Sequence, residues 1–464
     1  MSPPEALAGL GDGVWLVGGA LRDELLGLRC HDFDLAVAGD ARALARELGR
    51  ATGAASFALS DAFGAWRVIA ADRSWQVDLT PLTGPTLEAD LARRDLTVNA
   101  MARPVTGGAV IDPHGGRTDL AARRLRQVGE GAFSADPLRV LRLARQSTQL
   151  GFRIEPATLA AARAAAPGLI GVAGERVFAE LRQILGGERP VEGLEAFMAV
   201  AAASVVLPEL EALRGVEQSV YHHRDVLGHT LEAVAHTVAL ERDPKGVVGL
   251  DAAPVRAFLA EPCSDEMTRA EILRWGALLH DIAKPGTRAV SPEGRVSFYG
   301  HDREGALLAR TILARLRASE RTATQVAALT RHHLRLGFLV HRQPLERRDV
   351  FGYLAACEPV SADVTLLTVA DRLATQGRNG PRATAEHLAL AREIWPAALA
   401  WQRDRPRAPV RGDVLARALE RAPGPWLAPV LEELAAADYA GELPAGPEGA
   451  IAHARTWLAS AGAV

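Results

Sequence analysis

The chain has 464 residues, 48% of them hydrophobic, with 53 basic against 56 acidic side chains and a formal net charge of −3. This length predicts several domains with room for buried cores, and the near-neutral balance excludes a protein that coats nucleic acid over its whole surface, so any such contact requires a local basic face. Cys30, Cys263 and Cys357 are odd in number and far apart, which excludes a disulfide framework or zinc knuckle and predicts buried thiols; without an apolar run of membrane length or a leader-like start, a cytoplasmic protein with no membrane partner is expected.

Residues 1–130 mix short β-rich runs (Trp15–Val17, Phe33–Val37, Ala65–Ala70, Trp75–Leu79) with helical stretches and Gly/Asp turns. From about Asp136 onward, Ala/Leu/Arg segments of helical period follow one another, broken at PGLIG, GGERP, ERDPKG and KPGTR. The pattern predicts an α+β fold: a head with a small mixed β-sheet and helices over residues 1–150, then an all-helical body. That body is divided into a neck (151–215), a histidine-bearing domain (216–375) and a C-terminal helical region (376–464), in which Trp395, Trp401, Trp426 and Trp457 are expected in the core.

In the stretch VWLVGGALRDELLGLRCHDFDLAV, Gly18 and Gly19 end a strand and open a helix, where free N–H groups and the helix dipole attract an anion, and Arg22-Asp23 follow at once. Asp32 and Asp34 alternate around Phe33 on a strand, so both carboxylates project from one face. Two like charges so placed repel unless a cation lies between them, and Mg²⁺ is the hard cation suited to oxygen ligands and phosphate. Asp78, on the strand WQVDLT, offers a third carboxylate. In ARRDLTVNAMA, Arg93 and Arg94 are placed to neutralise a triphosphate, and Asp95 and Asn99 to take ribose hydroxyls. In SADPLRVLRLARQ, Asp136, Arg139 and Arg142 fall three residues apart as a polar helical stripe that pairs with a base edge.

These segments, together with DPHGG…DL…RLR and the run through GFRI, resemble in order and spacing the bacterial (class II) tRNA nucleotidyltransferase and poly(A) polymerase family, over roughly residues 14–185. The resemblance implies a nucleotidyltransferase head. Asp32 and Asp34 hold Mg²⁺, the Gly-Gly-Arg-Asp turn holds triphosphate, and Gly19, Arg22, Arg94, Asp136, Arg139 and Arg142 take the family's nucleotide-binding places, for in-line attack of a tRNA 3′-hydroxyl on the α-phosphate of CTP, with ATP as a second candidate. Two departures stand out. The base-templating motif normally begins Glu-Asp, but here reads Ala135-Asp136, and the segment LTPLTGPTLEADLA between Asp78 and Arg93 is short, without the Arg-bearing loop of relatives that add the terminal A. Both point to addition of CC rather than CCA. Poly(A) polymerase is the alternative, expected to carry a strongly basic tail.

Farther on, His229, His280-Asp281, His301, His332-His333 and Asp371 recur in helical context, and a carboxylate beside a histidine inside an apolar helix is costly to bury unless it binds metal or pairs. The series resembles the HD-domain metal-dependent phosphohydrolases over about residues 219–375. It implies one or two divalent ions (manganese, nickel, magnesium or iron) held mainly by His229, His280, Asp281 and Asp371, with His301 and His333 as further ligands, and hydrolysis of RNA or nucleotide phosphate esters. A phosphohydrolase whose head only docks RNA is the remaining alternative.

Overall fold

The computed structural model describes residues 3–60, 64–378 and 380–460. It divides into two compact units, Met1–Val206 and Leu207–Val464, so the boundary falls inside the stretch read as a neck. Among the described residues no single helix is long and apolar enough to cross a membrane.

The first unit is built on a six-stranded sheet in the order β3-β4-β5-β2-β1-β6, from β1 (Val14–Val17), β2 (Asp32–Val37), β3 (Ala55–Ser60), β4 (Ala65–Ile69), β5 (Gln76–Pro81) and β6 (Ala102–Pro104). β2 and β5 run parallel while the other neighbours are antiparallel, which makes the sheet mixed. The ends of β2 and β5 that carry polar residues therefore lie side by side, and Asp34 is registered against Asp78. Farther along β2, Leu35, Ala36 and Val37 are buried and anchor the strand, so the carboxylates emerge at one end of a fixed element. The Ala41–Thr52 helix that follows is capped by Asp40, which accepts from the Arg42 and Ala43 N–H groups, and ends at Gly53 in the left-handed region.

Strands β3 and β6 are absent from the sequence reading. β3 is an edge strand with little buried surface, held through its ladder to β4, and β6 is three residues long, held by pairing to β1. A helix follows over Leu138–Leu150, burying Leu138, Val140, Leu141 and Leu143 and stopping at Gly151. Asp136 is not on this helix as expected: it has extended backbone geometry, and Pro137 starts the turn.

Among its described residues the second unit is helical apart from one short two-stranded ribbon. The Arg269–Leu279 helix is central, with all its residues from Ala270 to Leu279 buried except Glu271, and begins at a Thr268–Glu271 capping box. It packs on the helices Val226–Arg242, Glu320–His332 and Ser361–Leu373. Trp275 is fully buried there, and its replacement by Ala is expected to cost about 3–5 kcal/mol of stability. In the C-terminal region Trp395 and Trp401 are buried, whereas Trp426 and Trp457 are partly buried against Val410, Leu415, Val430 and Leu434. The three cysteines are free, but only Cys357 is buried; Cys30 and Cys263 are half-buried, because each lies in a loop at the edge of a packed element.

Candidate functional site

The carboxylate end of β2 is the first candidate site. Val17 pairs with Asp34 across the sheet, and the chain then turns at Gly18, whose φ is +65°. That backbone geometry favours glycine, and a Cβ there would stand in a tight 3.2 Å contact with both Asp34 Oδ2 and Arg94 Nη1. Asp32 and Asp34 are both exposed. Protein mass packed around the base of Asp34 and the neighbouring Asp78 carboxylate push its pKa up to about 6, although the side chain keeps an open face to solvent. Such a pair fits a hard divalent cation, which would favour the ionised form.

Asp78 stands beside Asp34, but both its oxygens are taken by Arg67, its cross-strand partner, at 2.7 and 2.8 Å. The third carboxylate of the group is thus ion-paired with Arg67, a partner that the sequence of β4 does not announce. Arg94 donates to Asp90 Oδ2 through Nε and Nη2, at 3.2 and 3.0 Å, and Asp90 is itself fixed by the Thr83 N–H. The Asp90/Arg94 spacing of four residues was the available signal for that brace.

Arg22 Nη1 donates to Asn99 Oδ1 at 2.7 Å and its Nε to Asp23 at 2.8 Å. Asn99 donates in turn to Asp95 and Gln146, and Asp95 pairs with Arg142 at 3.2 Å. Burial would raise the Asp95 carboxyl, but Arg142, Asn99 and the Leu96 N–H outweigh it and hold it below the usual range. Asp95 and Asn99 are therefore not at an open ribose face as expected: both are buried, their polar atoms spent on keeping Arg22 and Arg142 in place. Gln146 and Glu180, which pairs with Arg145 at 2.6 Å, complete this network and were missed, because a Gln or Glu on an amphipathic helix carries no distinctive signal.

With Ala at position 135, no side chain there can brace Arg139. The main chain braces it instead: Nη1 donates to the Ala132 carbonyl at 2.9 Å and Nη2 to the Arg93 carbonyl at 2.8 Å. Two of its five N–H donors are spent in this way, and its Nε is buried without a protein partner. Asp136 is held by Arg176 at 3.2 Å.

The second candidate site lies in the helical unit. His229, on the first turns of Val226–Arg242, meets His280 with Nε2 atoms 3.2 Å apart and meets Asp371 at 3.1 Å. His301 and His333 likewise approach Nε2 to Nε2 at 3.2 Å. In every one of the four rings Nδ1 is tied to a main-chain carbonyl, of Ala374, Ala277, Phe298 and Thr330 respectively, at 2.6–3.2 Å. This fixes the tautomer that leaves Nε2 a free lone pair, the arrangement of metal-ligating histidine. Asp281 sits between, Oδ2 3.1 Å from His280 and Oδ1 3.4 Å from His301, fully buried.

Two three-ligand groups result, His229/His280/Asp371 and Asp281/His301/His333. Burial would raise the Asp281 carboxyl, yet His280 and Lys284 hold it well below the usual carboxylate range, and Lys284 Nζ lies 2.6 Å from Oδ2. Burial, reinforced by His280, pushes His333 down to about 4. His332, adjacent in sequence, turns away and accepts from Arg335. The site opens into a cleft of about 580 Å³ lined in part by His222, Lys284, Phe298 and Arg372. His222 stands edge-on to His229 with ring centroids 5.0 Å apart and was passed over in the sequence, where it lies in an irregular loop.

A two-carboxylate sheet site fed by a glycine turn and braced arginines, together with a histidine/aspartate cluster in a helical bundle, defines a nucleotidyltransferase joined to an HD domain. Family models agree: "Poly A polymerase head domain" matches residues 14–83 and 69–126, "Probable RNA and SrmB- binding site of polymerase A" residues 151–213, and "HD domain" residues 226–376. An A-adding tRNA nucleotidyltransferase of Deinococcus radiodurans is 36% identical over 96% of this chain and 95% of its own length, and a CC-adding tRNA nucleotidyltransferase of Thermus thermophilus is 37% identical over 78% and 76%. A solved structure of a CCA-adding enzyme with CTP shares the fold, with a TM-score of 0.64 at 20% identity over the whole of this chain and 96% of that one. The chain belongs to the tRNA nucleotidyltransferase family and is an enzyme of that class.

Proposed function

We propose that this enzyme extends the 3′ end of tRNA with two cytidine residues from CTP, using the sheet site, and hydrolyses RNA or nucleotide phosphate esters at the helical site. The observation that carries the choice of C is the fixed Arg139: its guanidinium is held by two main-chain carbonyls, so Asp136 and Arg139 present one arrangement of acceptor and donors. Accepting A after C requires those side chains to re-aim, and the connection between β5 and the Leu87–Leu91 helix is too short to drive that change.

In the head, Asp32 and Asp34 would hold Mg²⁺, which supplies charge neutralisation at the α-phosphate when bound. Arg22 and Arg94 bind and orient the triphosphate, and the Gly18-Gly19 turn leaves room for it. In the helical unit, His229, His280 and Asp371 with Asp281, His301 and His333 would hold one or two divalent ions, manganese, nickel, magnesium or iron. A bound ion supplies Lewis acidity and an activated water there, while Lys284 orients Asp281. The converging Nε2 atoms, with the Asp281 and Asp371 carboxylates among them, fit such an ion.

A second reading is A addition to tRNA already ending in CC, favoured by the end-to-end match to the A-adding Deinococcus radiodurans relative. Incubating the purified protein with tRNA ending at the discriminator base or at CC, with CTP and ATP supplied separately, decides between them. Two CTP additions to the first substrate support the proposal. ATP addition to the second at a comparable rate, without CTP use, replaces it with the second reading.

A further inference from the structure

Exposed aromatic side chains that gather in one place mark a binding surface, because their large apolar faces gain from being covered. Among the described residues of the second unit, three aromatics from the large apolar class are exposed: Tyr221 at 52%, Tyr299 at 84% and Phe338 at 67%. All three line the cleft that leads to the histidine/aspartate cluster. They come from three separate segments, so their meeting there is a product of the fold and not of one apolar stretch of sequence.

Each is held at the rim by a feature of the metal site. Tyr299 immediately precedes Gly300, the left-handed residue that starts the helix at His301. Phe338 lies on Arg335–Leu339, just beyond His333. Tyr221 belongs to a loop whose carbonyls at Val220 and Tyr221 accept from the Arg378 and Gly377 N–H groups, beyond Asp371. Gly377 is required for this, since a Cβ there would stand 2.2 Å from the Tyr221 carbonyl carbon.

Inside the rim the cleft carries both signs of charge, with Asp281, Asp302 and Asp371 among its lining residues. Lys284 and Arg372 line it too, and the Arg372 Nε is buried without a hydrogen-bond partner. A ligand that suits these cations and the aromatic rim carries an anionic group at one end and a flat π-face at the other. We infer that Tyr299, Phe338 and Tyr221 form a stacking clamp for the base of a terminal nucleoside whose phosphate lies at the cluster, which makes them the residues that select base-bearing esters over plain phosphate esters. This rests on the phosphohydrolase reading of the cleft. Because stacking is indifferent to base edges, the clamp accepts any base, favouring the larger purines.

The test uses the full-length protein supplied with manganese. Hydrolysis is measured for adenosine 3′-monophosphate, a short RNA ending in a 3′-phosphate, and glycerol 2-phosphate. The ratio of kcat/KM for each base-bearing ester to that for glycerol 2-phosphate is expected to fall about tenfold in Tyr299→Ala and again in Phe338→Ala, with Tyr299→Phe restoring it. A fall for the RNA alone assigns the clamp to RNA ends, and a fall for both esters assigns it to nucleotides generally. A ratio that does not move in either variant overturns the clamp. Should no ester be hydrolysed by the unaltered protein, the phosphohydrolase reading fails. Photocrosslinking with 8-azidoadenosine 5′-monophosphate then decides the clamp itself: adducts on the peptides carrying Tyr299 or Phe338 support it, and adducts confined to the head overturn it.

Discussion

The two sites solve the problem of gathering charged ligands in opposite ways. In the head, Asp32 and Asp34 are neighbours in sequence on one exposed strand end, and the protein's effort goes into the surrounding cations, each pinned by a carboxylate or a carbonyl. In the helical unit the ligands are spread from His229 to Asp371 on separate helices and loops, all buried except the half-buried Asp371, and the four histidines have their orientation set by main-chain carbonyls. An open carboxylate pair suits a cation that arrives and leaves with a triphosphate; a buried histidine cage suits one that stays. The difference predicts that each site fails in its own way.

The largest effect is expected at Asp34. Asp34→Ala removes a ligand where charge develops, so nucleotide addition should fall by about a thousandfold or more, the size of several kcal/mol. Ester hydrolysis measured on the same preparation should stay within about twofold. Replacing both His280 and Asp281 by Ala should give the mirror image: hydrolysis lost, tRNA extension kept. A parallel loss of both activities in either variant, with folding intact by circular dichroism, would break the comparison.

A smaller effect separates bracing from binding. Asp90→Ala frees Arg94 without touching the carboxylate pair, and should raise KM for the nucleotide about tenfold while changing kcat much less, because two charge-assisted hydrogen bonds set the guanidinium's position. A fall in kcat alone would move Arg94 from binding to the chemical step.

The smallest effect concerns stability and acid. The Asp95 carboxyl is depressed in the folded protein, so its contribution is present above the unfolded value near 4 and is lost as pH falls through the lower folded value. Asp95→Asn should lower stability at pH 7 by about 2 kcal/mol and flatten the loss of stability as pH falls below the usual carboxylate value, as read by denaturant unfolding. An unchanged acid slope would show that Asp95 is not the group that titrates.

Much of this was legible in the sequence because it depended on short-range spacing. Asp32 and Asp34 at i and i+2 on an apolar-ended strand specify a shared face, and Gly18-Gly19 before Arg22 specifies a turn. The histidines were legible as a set for a different reason: polar groups in helices otherwise built of Leu, Ala and Val have to be explained. What stayed hidden was pairing across the fold. Nothing in AWRVI says that Arg67 will face Asp78, since that follows from strand order, and nothing near Ala135 says that the Ala132 and Arg93 carbonyls will hold Arg139. Asp95 and Asn99 were misplaced for the same reason, because which side of a turn is buried depends on the helix that covers it, here the one carrying Arg142 and Gln146.

The contrast between a transient and a resident metal can be measured without any substrate. Elemental analysis of the protein after prolonged desalting into metal-free buffer should find divalent metal retained by the unaltered chain, up to one ion for each three-ligand group. The same content is expected in Asp34→Ala, and close to none in the variant lacking His280 and Asp281. Retained metal that disappears with Asp34 and survives the loss of His280 and Asp281 would contradict the account of both sites.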